Sequence, residues 1–400
     1  MKQKKILIIS YSSLQSDPRV IRQIRTLGNN FELYTCGLSS SELPWEKEFI
    51  PFTINGWSMF KDTRFPLRWF IIACYIIPLR IITKIKLFHR LKLYNLYYWN
   101  LGNLDLEKKL KKYKFDLIIS NDLNTLPLAI SVAKKFKSKV FFDAHEYSPL
   151  ELENDANWMR WESPYLTYLA KKYIPKADAC ITVGYEIAKK YLELTGISFE
   201  VVLNAPQYQE HIKPVSVNNN INFIHHGGAM KARNLHVMVE CFLLLPINYH
   251  LHLLLTNSDP EYLVYLKDLS KDNNNIHFHD PVPTESIPDF INKFDVGLAY
   301  IPPVNFNYEY CLPNKFFEFI QARLMIVTGP SPEMAKITKK YNLGLVAEGF
   351  EAKNLVNLIE KITPDIVINY KNNVDIAAKE LSATHSMNIF LSKIVKLCAE

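Results

Sequence analysis

The sequence predicts an α/β protein built from two doubly wound domains in tandem. Short apolar segments of strand length alternate with segments of helical periodicity, and this alternation restarts near residue 201. The strands are apolar at nearly every position, which is typical of parallel sheets covered by helices on both faces. Ligands of such sheets bind at the carboxyl ends of the strands. The residues that directly follow the strands are therefore the first candidates for a functional site.

The first domain is predicted to span residues 1–200. Its strands are expected in the segments KKILIIS, FELYTCG, FDLIISND, KVFFDAHE and ACITVG. The first helix is expected to begin at Asp17 and Pro18, because Asp is a favourable N-cap and Pro suits the first helical position. Gly28 follows the last apolar residue of that helical pattern and is expected to end it.

The second domain is predicted to span residues 201–375. Its strands are expected in the segments EVVLNAP, INFIHHG, YHLHLLL, NIHFHD, VGLAYI and LMIVTG. Two of its helices are expected to begin near Asn234 and at Lys315. Residues 376–400 are predicted to be a helical segment that packs back on the first domain.

The composition is that of a globular protein with one unusual segment. Hydrophobic residues make up 48% of the chain, which disfavours disorder. The six cysteines are scattered without a Cys-x-x-Cys pair, which favours reduced thiols in a cytoplasmic protein over a zinc module or a disulfide scaffold. The whole net charge of +7 comes from residues 63–104, which contain no acidic residue. The basic residues of that segment are Arg64, Arg68, Arg80, Lys84, Lys86, Arg90 and Lys92.

Aromatic side chains accompany these cations, and two interpretations of the basic segment stay open. Cations and aromatic rings together suit the headgroup region of an anionic membrane. The same residues also fit a crossover helix of the first domain. The longest uncharged apolar run, residues 69–79, is shorter than the about 20 residues that span a bilayer, so no transmembrane helix is predicted. Charge confined to one segment also argues against a nucleic-acid binder.

The most informative motif is LPNKFFEF, at residues 312–319. Pro313 and Asn314 are expected to open a helix, which places Glu318 about one turn inside it. A carboxylate there can accept two hydrogen bonds from the vicinal hydroxyls of a ribose, and the first amides of the helix can face a diphosphate. A plain surface glutamate near a helix start is the alternative that the local residues allow.

A second motif, HHGGAMKARNL, covers residues 225–235. It combines two histidines, two glycines and two cations: His225, His226, Gly227, Gly228, Lys231 and Arg233. Glycines let the backbone approach a ligand closely, and the cations suit a diphosphate leaving group. Two alternatives are a metal held by the histidines, for which no second ligand cluster is evident, and an ordinary turn with solvated cations.

Polar residues also follow the strands of the first domain. Asp143, His145 and Glu146 come directly after KVFF and are expected to contact a substrate, although a single histidine is often structural. Arg19 and Arg22, near the first helix start, are expected either to bind an anionic acceptor or to be solvated. The loop before them lacks the glycine spacing of a dinucleotide fingerprint, which disfavours a dehydrogenase.

Taken in order, the motifs SDPRV, DAHE, LNAP, HGGAMKARNL and LPNKFFEF resemble the retaining glycosyltransferases of family 4, which have the GT-B fold. The resemblance covers nearly the whole chain. It implies two Rossmann-like domains facing across a cleft, with a nucleotide-sugar donor held mainly by the second and a glycan or lipid-linked acceptor held mainly by the first. It also implies transfer with retention of configuration and without a metal or other cofactor. A role in bacterial cell-surface polysaccharide synthesis, in the cytoplasm or on the inner face of the membrane, is the expected function.

The resemblance also implies roles for particular residues. Glu318 matches the glutamate that binds the nucleotide ribose, and His145 matches a histidine near the donor sugar. The residues expected at the donor diphosphate are Gly227, Gly228, Lys231 and Arg233, together with Asn314 and Lys315 at the helix start. The family usually has a second glutamate eight residues before the ribose-binding one, where this chain has Tyr310 with Glu309 beside it. Either of these two is expected to contact the donor sugar.

Two other functions stay open at this point. One is a nucleotide-sugar epimerase of the same fold, which would act on the donor without an acceptor. The other is a non-catalytic subunit that binds a nucleotide sugar, which the absence of a glutamate at position 310 allows. The base, the sugar and the acceptor are not predicted.

Overall fold

The computed structural model describes residues 3–52, 93–99 and 103–399 of the chain. They fall into two units: unit 1 comprises Met1–Val202 with Ile389–Glu400, and unit 2 comprises Leu203–Asn388. Each unit is built around one parallel sheet, so the predicted α/β class is confirmed. The seven cations of the basic segment lie outside the described residues, and both interpretations of that segment stay predictions.

The sheet of unit 1 has seven strands. They are β1 (Lys5–Ile9), β2 (Glu32–Gly37), β3 (Glu46–Pro51), β4 (Leu117–Asn121), β5 (Lys139–Ala144), β6 (Ala179–Thr182) and β7 (Glu200–Val201). All neighbours are parallel, in the order β3-β2-β1-β4-β5-β6-β7. The residues of β4 are all buried, as expected of a central strand covered on both faces.

Six helices lie wholly within the described part of unit 1. They are α1 (Pro18–Leu27), α2 (Tyr94–Tyr98), α3 (Leu104–Leu110), α4 (Leu126–Phe136), α5 (Ala156–Tyr173) and α6 (Tyr185–Thr195). Helix α1 begins as predicted, because Asp17 Oδ1 accepts hydrogen bonds from the backbone N–H groups of Arg19 at 3.1 Å and Val20 at 3.2 Å. Gly28 caps its end.

The sheet of unit 2 has six strands. They are β8 (Ile221–Gly228), β9 (Tyr249–Thr256), β10 (Ile276–His279), β11 (Val296–Ala299), β12 (Met325–Thr328) and β13 (Gly344–Val346). All neighbours are parallel, in the order β10-β9-β8-β11-β12-β13. Strand β8 is central, and its neighbouring residues Phe223 and Ile224 belong to two different apolar clusters. Apolar side chains therefore pack on both faces of this sheet as well.

Nine helices complete the described chain. They are α7 (His236–Leu244), α8 (Pro260–Leu269), α9 (Ile287–Ile291), α10 (Phe306–Glu309), α11 (Asn314–Gln321), α12 (Pro332–Lys340), α13 (Ala352–Ile359), α14 (Pro364–Ala377) and α15 (Ala383–Ala399). Helix α15 begins in unit 2 and ends in unit 1. Within the described ranges, each helix is too short or too polar to cross a bilayer.

Four features differ from the prediction. The segment EVVLNAP does not open the second sheet, because Glu200 and Val201 pair with β6 and close the first one. Strands β3 and β13 were not predicted at all. The return to unit 1 occurs at Ile389, beyond the expected residue 376, and there Phe390 packs edge-on against Phe141 with ring centroids 5.4 Å apart.

Candidate functional site

The polar residues at the end of β8 lie against the first turn of α11. His225 is 1% exposed, His226 is 4% exposed, and Lys315 at the start of α11 is 7% exposed. Strand β8 continues through Gly228, one residue beyond the predicted segment INFIHHG. Three nitrogen-bearing side chains are thus buried at the carboxyl edge of the sheet, where α/β proteins bind ligands.

Lys315 is held by a hydrogen bond to His225. Its Nζ donates to His225 Nε2 at 2.9 Å, while His225 Nδ1 donates to the backbone oxygen of Leu298 on β11 at 2.8 Å. Because the carbonyl can only accept, the proton of this imidazole lies on Nδ1 and leaves Nε2 as the acceptor for the amine. Burial and the nearby charge of Arg233 lower the pKa of Lys315 to about 7.

Arg233 also reaches the space beside Gly227. A Cβ added to Gly227 would lie 3.1 Å from Arg233 Nη1 and 3.1 Å from Lys315 Nζ. Gly227 also has a φ of 129°, a backbone conformation that L side chains rarely adopt. Arg233 Nη1 donates to the backbone oxygen of Gly228 at 3.2 Å, which fixes the guanidinium there. Two cationic side chains therefore converge on a space that only glycine leaves open.

Glu318 lies one turn into α11 and is 6% exposed. One of its carboxylate oxygens, Oε2, is 3.3 Å from His226 Nε2, and the His226 ring packs edge-on against Phe319. Burial, together with the charges of Lys315 and Arg233, lowers the pKa of His226 to about 3. The imidazole is therefore neutral at neutral pH, and it does not neutralise the carboxylate.

The beginning of α11 agrees with the prediction. Pro313 is its N-cap, and no side chain caps the first N–H groups. Asn314 Oδ1 is buried, and it has no hydrogen-bond partner among the residues that the structure describes. A helix start with uncapped N–H groups attracts anions through those donors and the helix dipole. This helix start adds to the positive potential beside Gly227.

Two of the predicted donor-binding residues are not brought into this group. Lys231 begins the 3-10 turn Lys231–Arg233, and its side chain is exposed. Glu309 ends the short helix α10 and is half-buried, next to Tyr310, whose ring packs at a tilt against Phe306 with ring centroids 4.8 Å apart. In the described chain, neither Lys231 nor Glu309 bonds through its side chain to the group around Gly227. Their roles stay predictions.

In unit 1, His145 follows β5 and its ring is oriented by Asn121. His145 Nε2 lies 3.2 Å from Asn121 Oδ1. The amide of Asn121 is fixed in turn, because its Nδ2 donates to Gln23 Oε1 at 3.0 Å and its Oδ1 accepts from Gln23 Nε2 at 2.8 Å. Since Asn121 presents its oxygen, Nε2 of His145 carries a proton. Glu146, the next residue, is exposed.

Asp143 and Arg19 correct the prediction for this end of the sheet. Asp143 is 0% exposed and Arg19 is 3% exposed, and they form a bidentate ion pair with N–O distances of 2.7 and 2.8 Å. Asp143 also accepts from Gln23, and Arg19 donates to the backbone oxygen of Val202. A buried carboxylate needs such partners, so it is not free to contact substrate. Arg19 is likewise neither solvated nor open to an acceptor, and Arg22 is buried as well.

A cavity of about 210 Å³ lies at the carboxyl ends of β9 and β10, and sequence analysis missed it. Its lining combines apolar side chains with polar groups: Leu255, Asn257, Leu263, Lys267, Phe278, His279, Asp280 and Pro281. Asn257 and Asp280 each directly follow a strand end. Polar residues directly after a strand, the signal that marks the β8 group, therefore mark this cavity as well.

The alternative of a metal held by His225 and His226 does not fit the structure. Both nitrogens of His225 are already engaged, one by Leu298 and one by Lys315. In the part of the chain that the structure describes, no three His, Cys, Asp or Glu side chains are grouped so that they could hold a metal ion. The two histidines are therefore better described as part of the support for Lys315 and Glu318.

Three solved structures are similar to this chain over almost its whole length. HepE from Anabaena, in complex with UDP-glucose, matches with a TM-score of 0.66 and 12% identity over 98% of this chain and 99% of HepE. Sucrose-phosphate synthase from Thermosynechococcus elongatus matches with a TM-score of 0.67 and 13% identity over 98% of both chains. The lipopolysaccharide outer core galactosyltransferase WaaB, in its apo form, matches with a TM-score of 0.61 and 13% identity over 98% of this chain and 99% of WaaB. No family model and no curated protein matches the sequence. The two parallel α/β units of this chain therefore have the GT-B fold of glycosyltransferases.

Proposed function

We propose that this protein is a glycosyltransferase whose unit 2 holds a nucleotide-diphosphate sugar. One observation carries the proposal: Arg233 Nη1 and Lys315 Nζ converge on Gly227 at the start of α11, with the carboxylate of Glu318 one turn further on. This arrangement offers two cations to a diphosphate and one carboxylate to the hydroxyls of a ribose. HepE, a protein of the same fold, has been solved with UDP-glucose, which supports a donor of this class.

The donor site suggests how the transfer proceeds. As the bond between the anomeric carbon and the diphosphate oxygen breaks, negative charge grows on the departing phosphate, and Arg233 and Lys315 stabilise it. The acceptor hydroxyl attacks the anomeric carbon on the face that the diphosphate leaves, and its proton passes to the departing phosphate oxygen. This path retains the anomeric configuration, and the two side chains supply the positive charge that a metal would otherwise provide. The anomeric proton coupling of the product, measured by NMR, tests retention, and turnover in EDTA tests metal independence.

The acceptor is assigned to unit 1 as part of the same proposal. His145, with a proton on Nε2 and a ring held by Asn121, is a hydrogen-bond donor that suits a hydroxyl of the donor sugar or of the acceptor. A glycan or lipid-linked acceptor, and a place in surface polysaccharide synthesis on the inner face of the membrane, follow from the resemblance to family 4. Binding of the basic segment 63–104 to anionic liposomes, measured by flotation at low and high salt, tests the membrane part.

Nucleotide binding tests the donor site directly. UDP, GDP and ADP, each with a matching sugar nucleotide, are titrated against the protein by calorimetry and thermal shift. We expect one base to bind, and we expect Arg233→Ala and Glu318→Gln each to weaken binding roughly tenfold or more, because hydrogen bonds to charged groups are lost. Lys271→Ala and Glu261→Gln remove exposed charges of the same unit and serve as matched controls. Unchanged affinity in both site variants would contradict the proposal.

Product analysis separates a transferase from the two other functions. Incubation with the bound sugar nucleotide alone gives a new sugar nucleotide if the protein is an epimerase. Incubation with a panel of glycan and lipid-linked acceptors gives a glycoside and a free nucleoside diphosphate if it is a transferase. Tight binding with neither product identifies a non-catalytic subunit.

A further inference from the structure

We propose that Lys315 takes up a proton when a sugar nucleotide binds, and that His225 is the positioning residue that holds the amine in place for it. The inference rests on the proposed function, since it concerns the same donor site. It adds a property that the donor site itself does not require, because a permanently charged lysine would also bind a diphosphate. The binding of donor is thereby coupled to pH.

The geometry places the amine where a diphosphate would contact it without any movement of the side chain. Lys315 Nζ and Arg233 Nη1 would each lie 3.1 Å from a Cβ at Gly227, so both face the space that this glycine leaves open. The amine has a second fixed contact, 2.9 Å to Nε2 of His225. Both a neutral amine and an ammonium can donate that hydrogen bond, so the contact does not select between the two protonation states.

The charges that face Lys315 leave its protonation finely balanced before donor binds. Arg233, from the turn after β8, repels a proton on the amine, and burial disfavours the charge further. Glu318, from the same helix, and Cys311, from the segment before it, act in the opposite direction. The remaining titratable groups nearby, His225 and His226 on β8, have pKa values lowered by burial and are neutral. The pKa of about 7 for Lys315 reflects this balance.

A bound sugar nucleotide changes that balance in one direction. Its diphosphate is a diester with two negative charges that do not titrate near neutral pH, so it brings charge but no proton to exchange. Negative charge beside a buried amine favours the ammonium form strongly, because the local dielectric is low. The missing proton then comes from solvent. Donor binding and protonation of Lys315 are therefore linked, and raising the pH above 7 weakens binding.

The coupling between donor binding and proton uptake also depends on the position of the Lys315 amine, which His225 holds. Its ring is anchored by the bond from Nδ1 to the oxygen of Leu298, at 2.8 Å, so Nε2 is a fixed acceptor. A long lysine side chain loses much rotamer freedom when it is buried, and this acceptor selects one of its conformations. Without the acceptor, the amine is free to leave Gly227, and both the affinity and the proton uptake change.

Calorimetry of UDP-glucose, GDP-mannose and ADP-glucose in several buffers of different ionisation enthalpy tests the inference on the wild-type protein. The dependence of the measured enthalpy on the buffer gives the number of protons bound. We expect close to none at pH 6, about half a proton per site at pH 7 and nearer one at pH 8. The affinity falls over the same range, by up to about tenfold per pH unit above pH 7.

Variants assign the proton to Lys315. Lys315→Arg keeps a charge that does not titrate, and we expect it to bind donor without proton uptake. Lys315→Met is expected to bind more weakly, also without uptake. His225→Leu is expected to weaken binding and flatten the pH profile, and His225→Gln, whose amide oxygen can accept from the amine, to restore part of both. Lys271→Met is the matched control, an exposed lysine of the same unit, and its uptake profile is expected to match the wild type.

The outcomes separate this inference from the function on which it rests. If none of the three sugar nucleotides binds, the proposed function fails and this inference fails with it. If one binds and the enthalpy shows no proton uptake between pH 7 and pH 8, the inference alone is overturned. The same conclusion follows if Lys315→Arg takes up the full proton. The wild-type series decides the matter even if a variant does not fold.

Discussion

At the scale of single residues, the ion pair between Arg19 and Asp143 is the most consequential contact of unit 1. Both side chains are buried, and each partner is held by two nitrogen–oxygen contacts within the pair. Breaking a buried pair leaves an uncompensated charge, which costs about 3–5 kcal/mol, whereas an exposed pair contributes about 0–1 kcal/mol. The pair also fixes Gln23, and through it the Asn121 amide that orients His145.

We therefore expect Asp143→Asn to lower the free energy of unfolding of unit 1 by about 3 kcal/mol or more. All six tryptophans of the chain lie before residue 203, so tryptophan fluorescence during urea unfolding reports on unit 1. Asp105→Asn, which removes a carboxylate from an exposed pair with Lys108, is the control and is expected to change little. An equal, small effect of both substitutions would show that the Arg19–Asp143 ion pair does not stabilise unit 1.

At the scale of the element, the paired strands β9 and β10 carry four histidines on one face: His250, His252, His277 and His279. The rings of His252 and His277 stack at 4.6 Å, and His252 Nδ1 lies 2.9 Å from His279 Nε2. Asn222 from β8 and Phe290 from α9 face these rings, as does Phe294 just after that helix. Two charged groups lie nearby, namely Lys293, whose Nζ lies over the Phe290 ring, and Asp280. The face therefore combines close imidazoles with one nearby ammonium.

This arrangement makes unit 2 sensitive to acid. Burial and the neighbouring imidazoles lower the pKa of His252 to about 3, and burial also lowers the pKa of His277 and His279. A folded pKa below the unfolded value means that the folded state resists protonation. The stabilisation is fully present above the unfolded pKa of about 6.5 and is lost as the pH falls from there toward 3.

We expect His252 alone to account for a loss on the order of 1–2 kcal/mol in the stability of unit 2 between pH 7.5 and pH 5. Circular dichroism follows the urea unfolding of both units, and subtraction of the tryptophan transition isolates unit 2. His252→Leu, which keeps an apolar contact with Phe294, is expected to reduce the slope of stability against pH. His236→Leu is the comparison, a histidine of the same unit outside this face. A slope unchanged by His252→Leu would contradict the expectation.

Most strands that the sequence predicted contain a run of consecutive apolar residues. Strands β1, β4, β8 and β12 are buried on both faces, and a run of apolar residues marks each of them. Strand β3, EKEFIP, lies at the edge of its sheet and carries three charged residues, so it has no such run. Strand β13 has three residues, too few for any periodicity. Strands β3 and β13 are recognised only by their hydrogen bonds to a neighbouring strand, and a single sequence does not reveal that pairing.

At the scale of the whole molecule, the order of the strands explains how much of the candidate site was predictable. Residues that follow strands were identified correctly as lying at one edge of a sheet, because all strands of a unit are parallel. Which cations converge was not predictable: Lys315 is buried beside Gly227, whereas Lys231, closer to Gly227 in sequence, is exposed. Which lysine reaches Gly227 depends on the 3-10 turn Lys231–Arg233 and on the position of α11 beside the end of β8, which are tertiary properties.

The end of the last helix packs within unit 1, and the sequence only partly anticipated this packing. Phe390 is fully buried against Phe141 of unit 1, and Lys393 forms an ion pair with Glu200. We expect Phe390→Ala to destabilise unit 1 by about 3–5 kcal/mol, as for other buried aromatic residues. Val395→Ala, a half-exposed position of the same helix, is expected to stay within about 0.5 kcal/mol of the wild type. Tryptophan fluorescence during urea unfolding measures the stability of unit 1 in both variants. Equal stabilities of the two variants would show that the packing of Phe390 does not stabilise unit 1.

The same helix has a consequence for biosynthesis. Unit 2 is one continuous stretch of chain, whereas unit 1 needs residues 389–400, which the ribosome releases only after all of unit 2. The unit that is translated first is therefore the last to close its core. Until then, Phe141 of the nascent polypeptide lacks its packing partner Phe390. The uncovered apolar surface around Phe141 is of the kind that chaperones bind.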